Sequence, residues 1–566
     1  APVGVHWNDR RWVMAGRVVI VLILGVTLCA GAAAAVSYTA TVNGSQVTVT
    51  YEGSGTEADP YLIDGTNEQM LAELQAMNSS GARDNHFRLS ADIDAAATQG
   101  WNGGEGFHPI QGWSDGGLDG ANHTIANLTI ANSSSNHVGL FGKVTGDVSF
   151  TNLEMESIDV THTNEDFDVS AGGLVGSIDS GNISRVYLAG TVSGGRDGVG
   201  GLIGRIKGDG QNEVTVADIE FNGTVGSEVD FAQFVAGVVG EVESGSLSLD
   251  DFRVNVSVTA KDEVGGVIGT GSEATLNNGV VSMAVVGTGE HAGGVIGATP
   301  AILGAVSINA TRVNGSVNGN NYVGGFAGAV RGSVRLEITN STGNFTDIKV
   351  GDSTSATLAD GIGGFVGRQD SAELIIMDSQ IQADVLEFSG HAAHPILGQA
   401  DTQAANNYWR NVFATIESRS GLGHDFLVNT TTSVSGFSGD TVANVYYNES
   451  TNSPQYNETS YEEIESVSNI TILPREQMTG SGALTNMSLL SSPAPWTTTD
   501  GFPDLNLPAV PQLTFADSNT PPTVTNRSVS VTAGQTVDGD VVANASDDDG
   551  DALSVNSTPV SGPSAT

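Results

Sequence analysis

Asp547, Asp549 and Asp551 alternate around a glycine in the stretch DDDGD. Calcium takes about six to eight oxygen ligands from carboxylates and carbonyls, so this loop reads either as a calcium site or as a solvated acidic turn. No Glu follows at the place an EF-hand loop needs one. Asp92 and Asp94, in SADID, share one face of a short extended stretch and read as a polar edge. His391 and His394, in GHAAH, lack the helix that would give their spacing meaning as a metal pair. The phrase EVGGVIGTG at 263–271 has the glycines of a phosphate cradle. Such a cradle must follow a strand and open a helix, and here polar turn residues follow instead.

The phrase also recurs. Its second glycine falls at Gly173, Gly201, Gly237, Gly266, Gly294, Gly325 and Gly364, with steps of 28, 36, 29, 28, 31 and 39. A cofactor site would not repeat in this way, whereas a solenoid must. Between the phrases the chain alternates. FRVNVSVTA sets Val254, Val256 and Val258 on one side and Arg253, Asn255 and Ser257 on the other. AVSINATRV repeats the pattern with Val306, Ile308 and Ala310. Period-two alternation predicts strands with one buried face. A repeat of about 30 residues suits one three-stranded coil better than a propeller blade of about 40. The glycines are then joints where stacked backbones pass closely.

Composition narrows the partners. The 566 residues carry 21 Lys and Arg against 64 Asp and Glu, a formal net charge of -43. That balance excludes nucleic acid, whose phosphates need a basic face, and anionic membrane surfaces. Only four of the basic residues are Lys, and an acidic, Lys-poor surface suits concentrated salt. RRWVMAGR, VVIVLILGVTLCAG and AAAAV read in order as the basic, apolar and cleavage regions of a secretory leader, cut near Ala35. Met14 is a plausible initiator, so the residues before it read as an extension. Cys29, the sole cysteine, lies inside the leader, so the mature chain has no disulfide, thiolate metal site or cysteine nucleophile.

The repeated G-G-[LV]-[VI]-G phrase resembles the GLUG-motif family. GTEADPYLIDGTNEQMLAELQAM is similar to that family's lead-in, with a helix at Asn67–Met77 whose apolar face is Met70, Leu71 and Leu74. FRLSADID and GGLDGANHTIANLTI resemble first coils, and LPREQMTGSGALTNMSLLSSPAPWTTTDGFPDLN resembles the closing segment. The resemblance implies an all-β fold, a right-handed parallel β-helix with a short N-terminal capping helix, on secreted and surface proteins. It carries no shared catalytic residues. VVANASDDDGDALSV resembles the cadherin-like and immunoglobulin-like repeats of adhesins, with Ala545 where that family often has Asp, and implies the start of a C-terminal β-sandwich. The expected organisation is a leader with its extension at 1–35, lead-in and cap at 36–114, β-helix at 115–450, closing segment at 451–512, linker at 513–522 and an incomplete cadherin-like or immunoglobulin-like domain at 523–566. RIK at 205–207, with Asp250 and Asp251, matches fragments of the polygalacturonase signature. The order is reversed and the NTD and GHG phrases are missing.

About twenty N-x-[ST] sites occur, among them Asn127, Asn255, Asn309, Asn314, Asn344 and Asn526. These are candidate glycan acceptors, with Asn255 and Asn309 on the outward side of alternating strands. The expectation is a secreted or cell-surface structural or adhesive protein, a stalk or binding face, salt-adapted and leaning away from catalysis. Its partner would be an extracellular polymer or protein, and any membrane attachment would need an anchor outside this sequence. No cofactor is expected in the β-helix, and calcium only in the tail. The alternative is a polysaccharide-active β-helix, enzyme or carbohydrate binder. Trp101 and Trp113 in WNGGEGFHPIQGW are its best sugar-stacking candidates.

The charge balance makes a first prediction. Carboxylate repulsion acts over ~30 Å in dilute buffer and ~3 Å in 1 M salt. The melting temperature should rise steadily from dilute buffer to molar KCl, and equal midpoints would remove the case for salt adaptation.

Overall fold

The computed structural model describes residues 35–515 apart from 133, 163, 165, 167, 228–231, 352–360, 389–392, 401–406, 421–427, 431–440, 449–465, 492–495 and 498–500, together with 523–524 and 545–546. Alternation decides the local structure as expected. Val254, Val256 and Val258 are buried, and Asn255 and Ser257 between them face solvent. Full burial of a valine or leucine side chain is worth about 1.5–3 kcal/mol, so a strand with one apolar side is held firmly against a core.

One coil shows the architecture. Asp262–Gly265 joins a nine-stranded parallel sheet, the chain bends at Gly266 and Val267, and Ile268–Gly271 enters a second parallel ladder. Glu273–Gly287 then runs on as one extended element that turns a corner at Asn278, whose φ is 54°. Its two halves pair in parallel with the next coil, Leu276 opposite Ile308 and Val281 opposite Val313. Stacking such coils gives a parallel β-solenoid with its apolar rows inside. Leu174, Leu202, Val267 and Val295, predicted to point inward, are 0%, 2%, 0% and 0% exposed. They are held by backbone bonds such as Val267 N–H to the Val295 carbonyl at 2.9 Å.

The three glycines of the repeated phrase have three different jobs. A Cβ on Gly265 would fall 1.9 Å from the Ile268 carbonyl oxygen, so the first glycine closes the bend. On Gly266 it would fall 2.1 Å from the Gly294 carbonyl oxygen, so the second lets one bend sit on the next. On Gly269 it would fall 2.5 Å from the Phe234 carbonyl carbon, so the third lets the strands either side of the bend face each other backbone to backbone. The same approaches recur at Gly293, Gly294 and Gly297. No helix follows the phrase, and the cradle reading fails on geometry.

The parallel ladder is longer than residues 115–450 at both ends. It starts with Tyr61–Ile63 against His86–Leu89 and continues to Ser466–Leu473. An antiparallel hairpin, Val36–Val42 with Ser45–Tyr51, and the helix Asn67–Ala76 cover its first coil. Thr66 and Gln69 form a capping box, and Met70, Leu71 and Leu74 are buried as predicted. The Tyr51 hydroxyl donates to the Glu73 carbonyl, tying hairpin to helix. Rings run along the axis from this cap, Tyr51 on Phe87, Phe87 on Trp113 and Trp113 on Phe141.

Residues 504–511 run back along the solenoid's flank. Arg312 donates to the Leu507 and Pro508 carbonyls at 2.7 and 2.9 Å, and Arg253 donates to those of Val510 and Pro511. Gln380 donates to Asp504 at 3.2 Å. Gln380, Thr342, Arg312, Val280 and Arg253 occupy one row, so residues 504–511 cross four coil steps. Four steps rise roughly 20 Å, about the length of seven residues of extended, proline-rich chain. Leu505, Leu507, Trp496, Phe413 and Tyr446 share a second small core beneath this strap. Of the expected C-terminal sandwich, the described residues include one short antiparallel pair, Thr523–Val524 with Ala545–Ser546.

Gly266→Val should destabilise the protein by about 3 kcal/mol or more, because a branched side chain would force bends apart. Gly100→Ala is the control, since a Cβ there meets nothing within 4 Å. Urea unfolding of both variants checks the contrast.

Candidate functional site

Titratable side chains concentrate where the two strands flanking the glycine bend face each other. Backbones meet there, so the side chains that remain must pair with one another. Arg205, 4% exposed, follows a bend and reaches into neighbouring coils on both sides. Its Nε lies 2.6 Å from Glu241 Oε2 and its Nη1 2.5 Å from Asp168 Oδ1. Lys207 Nζ bridges Asp168 and Glu243 at 3.1 and 3.2 Å. Burial pushes the Glu241 carboxyl up to about 7 against the opposing pull of Arg205. His137 sits beside this group, its Nδ1 2.8 Å from Ser170 Oγ, and Ser170 donates to the Gly176 carbonyl at 2.7 Å. Burial, reinforced by Arg205, holds the His137 imidazole down to about 4.

A second cluster lies further along the same rows. His291 lies opposite Tyr322, and Glu263 directly precedes Val264, which lies opposite Ala292. Arg331 Nη2 reaches Glu263 at 2.5 Å, His291 stacks on Tyr322 at 5.4 Å, and the Arg368 guanidinium lies 4.8 Å over the Tyr322 ring. Neither ring nitrogen of His291 has a hydrogen-bond partner, and burial, with Arg331 and Arg368 nearby, holds it down to about 3. Burial pushes Glu263 up.

Ser170 beside a neutral His137 has the residue types of a nucleophile and base. It is 0% exposed and its hydroxyl is already committed to Gly176, so no substrate reaches it. What both clusters do is tie strand to strand. A broken buried pair leaves a costly lone charge, so these contacts resist slippage of one coil against the next.

A third set was not read from the sequence. Asn152, Arg185, Asp218, Asp251, Asn278, Ala310, Asn340, Asp378 and Asn411 all take positive φ, from 47° to 54°, at one corner of successive coils, and all but Arg185 and Ala310 are Asn or Asp. Asn and Asp tolerate this left-handed conformation because their short polar side chains bond locally. Their amides also bond between coils, Asn152 to Asp119 at 2.9 Å, Asn340 to Asn309 at 3.0 Å and Asn411 to Asp378 at 2.7 Å. The signal available was an Asn or Asp recurring at the repeat's own spacing.

The predicted residues separate accordingly. Asp251 of the acidic pair is in that corner, and Asp250 accepts from Asn277 at 3.1 Å. Arg205 and Lys207 of RIK are in the ion cluster. Asn309 is half-buried beside the corner, donating to Asn277 at 2.7 Å and accepting from Thr339 and Asn340. Asn127, Asn255, Asn314 and Asn344 are exposed. Asp92 accepts from the Thr124 N–H and Asp94 from that of Ala96. His394 is buried. Trp113, a sugar-stacking candidate of the alternative reading, is fully buried between Phe87 and Phe141, and Trp101 is half-buried against Phe107. The aromatic candidates therefore belong to the core. Among the described residues no group of three acidic or histidine side chains could hold a metal. Asp547, Asp549, Asp551 and Asn526 lie outside the described residues, as do residues 1–34, where a leader was expected.

A stretch of 171 residues is 44% identical to halomucin of Haloquadratum walsbyi (strain DSM 16790 / HBSQ001). The match takes in 29% of this chain, which spans 2% of halomucin's length. No known protein-family profile matches the chain, so the GLUG and cadherin-like resemblances rest on the residues quoted for them. Two solved structures align broadly. A protein from Bacteroides ovatus, described as a candidate immunoglobulin A1 protease, shows 18% identity and a TM-score of 0.28 over 81% of this chain and 95% of its own. An IgA1 protease shows 15% identity and a TM-score of 0.29 over 85% of this chain and 29% of its own. Overlap at these scores carries no argument about activity. Among the described residues no helix is long and apolar enough to cross a membrane.

The buried histidines set an acid limit. An imidazole held at about 3 in the folded state and at its ordinary value near 6.5 when unfolded binds its proton in the unfolded state first. Its contribution to stability is therefore full above 6.5 and is lost as pH falls towards 3. Glu241 has the opposite sign, losing stability as pH rises from its ordinary 4.5 through about 7. His291→Gln isolates the first effect. Between about pH 6.5 and pH 3.5 the variant's melting temperature should fall less than the wild type's. Parallel curves would place His291 outside the acid response.

Proposed function

We propose that this chain is an extracellular structural protein of a halophile, a β-solenoid rod or binding face for cell-surface polymers or proteins. The observation that carries the reading is where the ionisable groups go. The buried members of the two clusters, Arg205 and Glu263, are spent on holding coils in register, while most of the described carboxylates lie at the surface. A catalytic constellation needs an acid, base or nucleophile open to substrate. The halomucin match supports the setting, since that name denotes a mucin and its source a halophile. Adhesion, a leader cut near Ala35 and calcium at Asp547, Asp549 and Asp551 belong to the same proposal. Calcium would neutralise the tail's carboxylates and stiffen its junction.

Surface labelling of intact cells tests the location, and the expected result is labelled protein that external protease removes. Incubation of purified protein with acidic polysaccharides tests the role. No unsaturated or reducing sugar should accumulate. Steady release of such products would move the protein to the polysaccharide-active class.

A further inference from the structure

Register sorts the glycan acceptors in a way the sequence does not. On the outer face of the strands that follow the Asn and Asp corner, Asn222 pairs with Asn255, Asn255 with Ser282, Ser282 with Asn314 and Asn314 with Asn344. Four of these five consecutive positions are N-x-[ST] acceptors, as NGT, NVS, NGS and NFT. All four asparagines are exposed. The middle residues Val256 and Phe345 are buried, so the asparagine and the hydroxyl two positions on lie on the same outward side. A purely structural amide ladder would need the asparagines and not the hydroxyls. Within the row Asn255 donates to Asn222 at 3.0 Å, a bond open to solvent. The contrast is Asn309, also an acceptor by sequence. Its amide nitrogen is committed to Asn277 and its oxygen to Thr339 and Asn340 in the half-buried corner.

We infer that Asn222, Asn255, Asn314 and Asn344 form a row of N-glycan attachment sites, so that one face of the solenoid carries a line of sugars. The inference rests on the extracellular reading above. In the reaction the amide nitrogen of asparagine attacks C1 of a sugar carried on a lipid phosphate or pyrophosphate. The N–C1 bond forms, the C1–O bond breaks, the lipid phosphate leaves with the bonding pair, and the nitrogen gives one proton to a base. The four row asparagines are exposed in the stacked solenoid and Asn309 is committed to its neighbours there, so transfer to the stacked chain reaches the row and not Asn309. A glycan on the open row leaves the stacking intact, whereas one on Asn309 would displace the corner's bonds. Neighbouring positions are about 4.8 Å apart, close to the width of a sugar ring, so occupied sites project outward as a brush.

The test uses protein recovered from outside its native cells, digested and mapped by mass spectrometry, so that its failure leaves the extracellular reading standing. Peptides containing row positions should carry hexose or uronic-acid mass increments, and the Asn309 peptide should carry none. Replacing all four row asparagines by Gln should remove most of the carbohydrate stain and leave the melting temperature in molar salt within a few degrees. Unmodified row peptides, or Asn309 modified as fully as the row, would overturn the inference.

Discussion

At the bend, backbone packs directly on backbone. The Gly266 Cα leaves no room for one more carbon before the Gly294 carbonyl, and Gly294 stands in the same relation to Gly325. Everything else depends on that spacing. It sets coil against coil at the distance a parallel ladder needs, and it aligns each inward row, such as Val267, Val295 and Phe326, so that apolar side chains meet their equivalents. A coil alone has too little inside to bury, so stability accumulates only as bends stack.

Charge is arranged around this constraint. The bend brings two strands so close that side chains between them lose water, and the residues left there are paired acids and bases or neutral imidazoles. Arg205 links the coils of Asp168 and Glu241, and Arg331 reaches Glu263, a partner 68 residues away. Outside, carboxylates with few partners accumulate, which concentrated cations tolerate and dilute buffer does not. The same chain therefore uses a few ion pairs as internal clamps and leaves most of its described carboxylates at the surface.

Much of the fold was legible because its causes are local. Alternation in Val254–Val258 shows in the chain itself, as do the helix face at Met70, Leu71 and Leu74 and the recurring glycines. The clamps were not legible because their partners are coils apart. The corner was not legible as a corner. Asn309 lies beside it, next to the left-handed Ala310, and its bonds to Asn277, Thr339 and Asn340 show only once the coils are in register. Trp113, a sugar-stacking candidate only under the polysaccharide-active alternative, sits in an axial ring stack whose other members are distant in sequence. The row from Asn222 to Asn344 needed register, which irregular spacing hides.

The strap from Asp504 to Pro511 changes how the solenoid bears load. Chain that left from the last coil would pull the ladder open one coil at a time, as a zipper opens. Here the chain leaves the flank near Arg253, with Arg312 and Gln380 gripping it on the way. Force applied beyond residue 511 therefore acts sideways across four coil steps, and their backbone bonds are sheared together rather than peeled singly. Bonds loaded in parallel share the force, so the attachment yields at a higher pull than any one coil could resist.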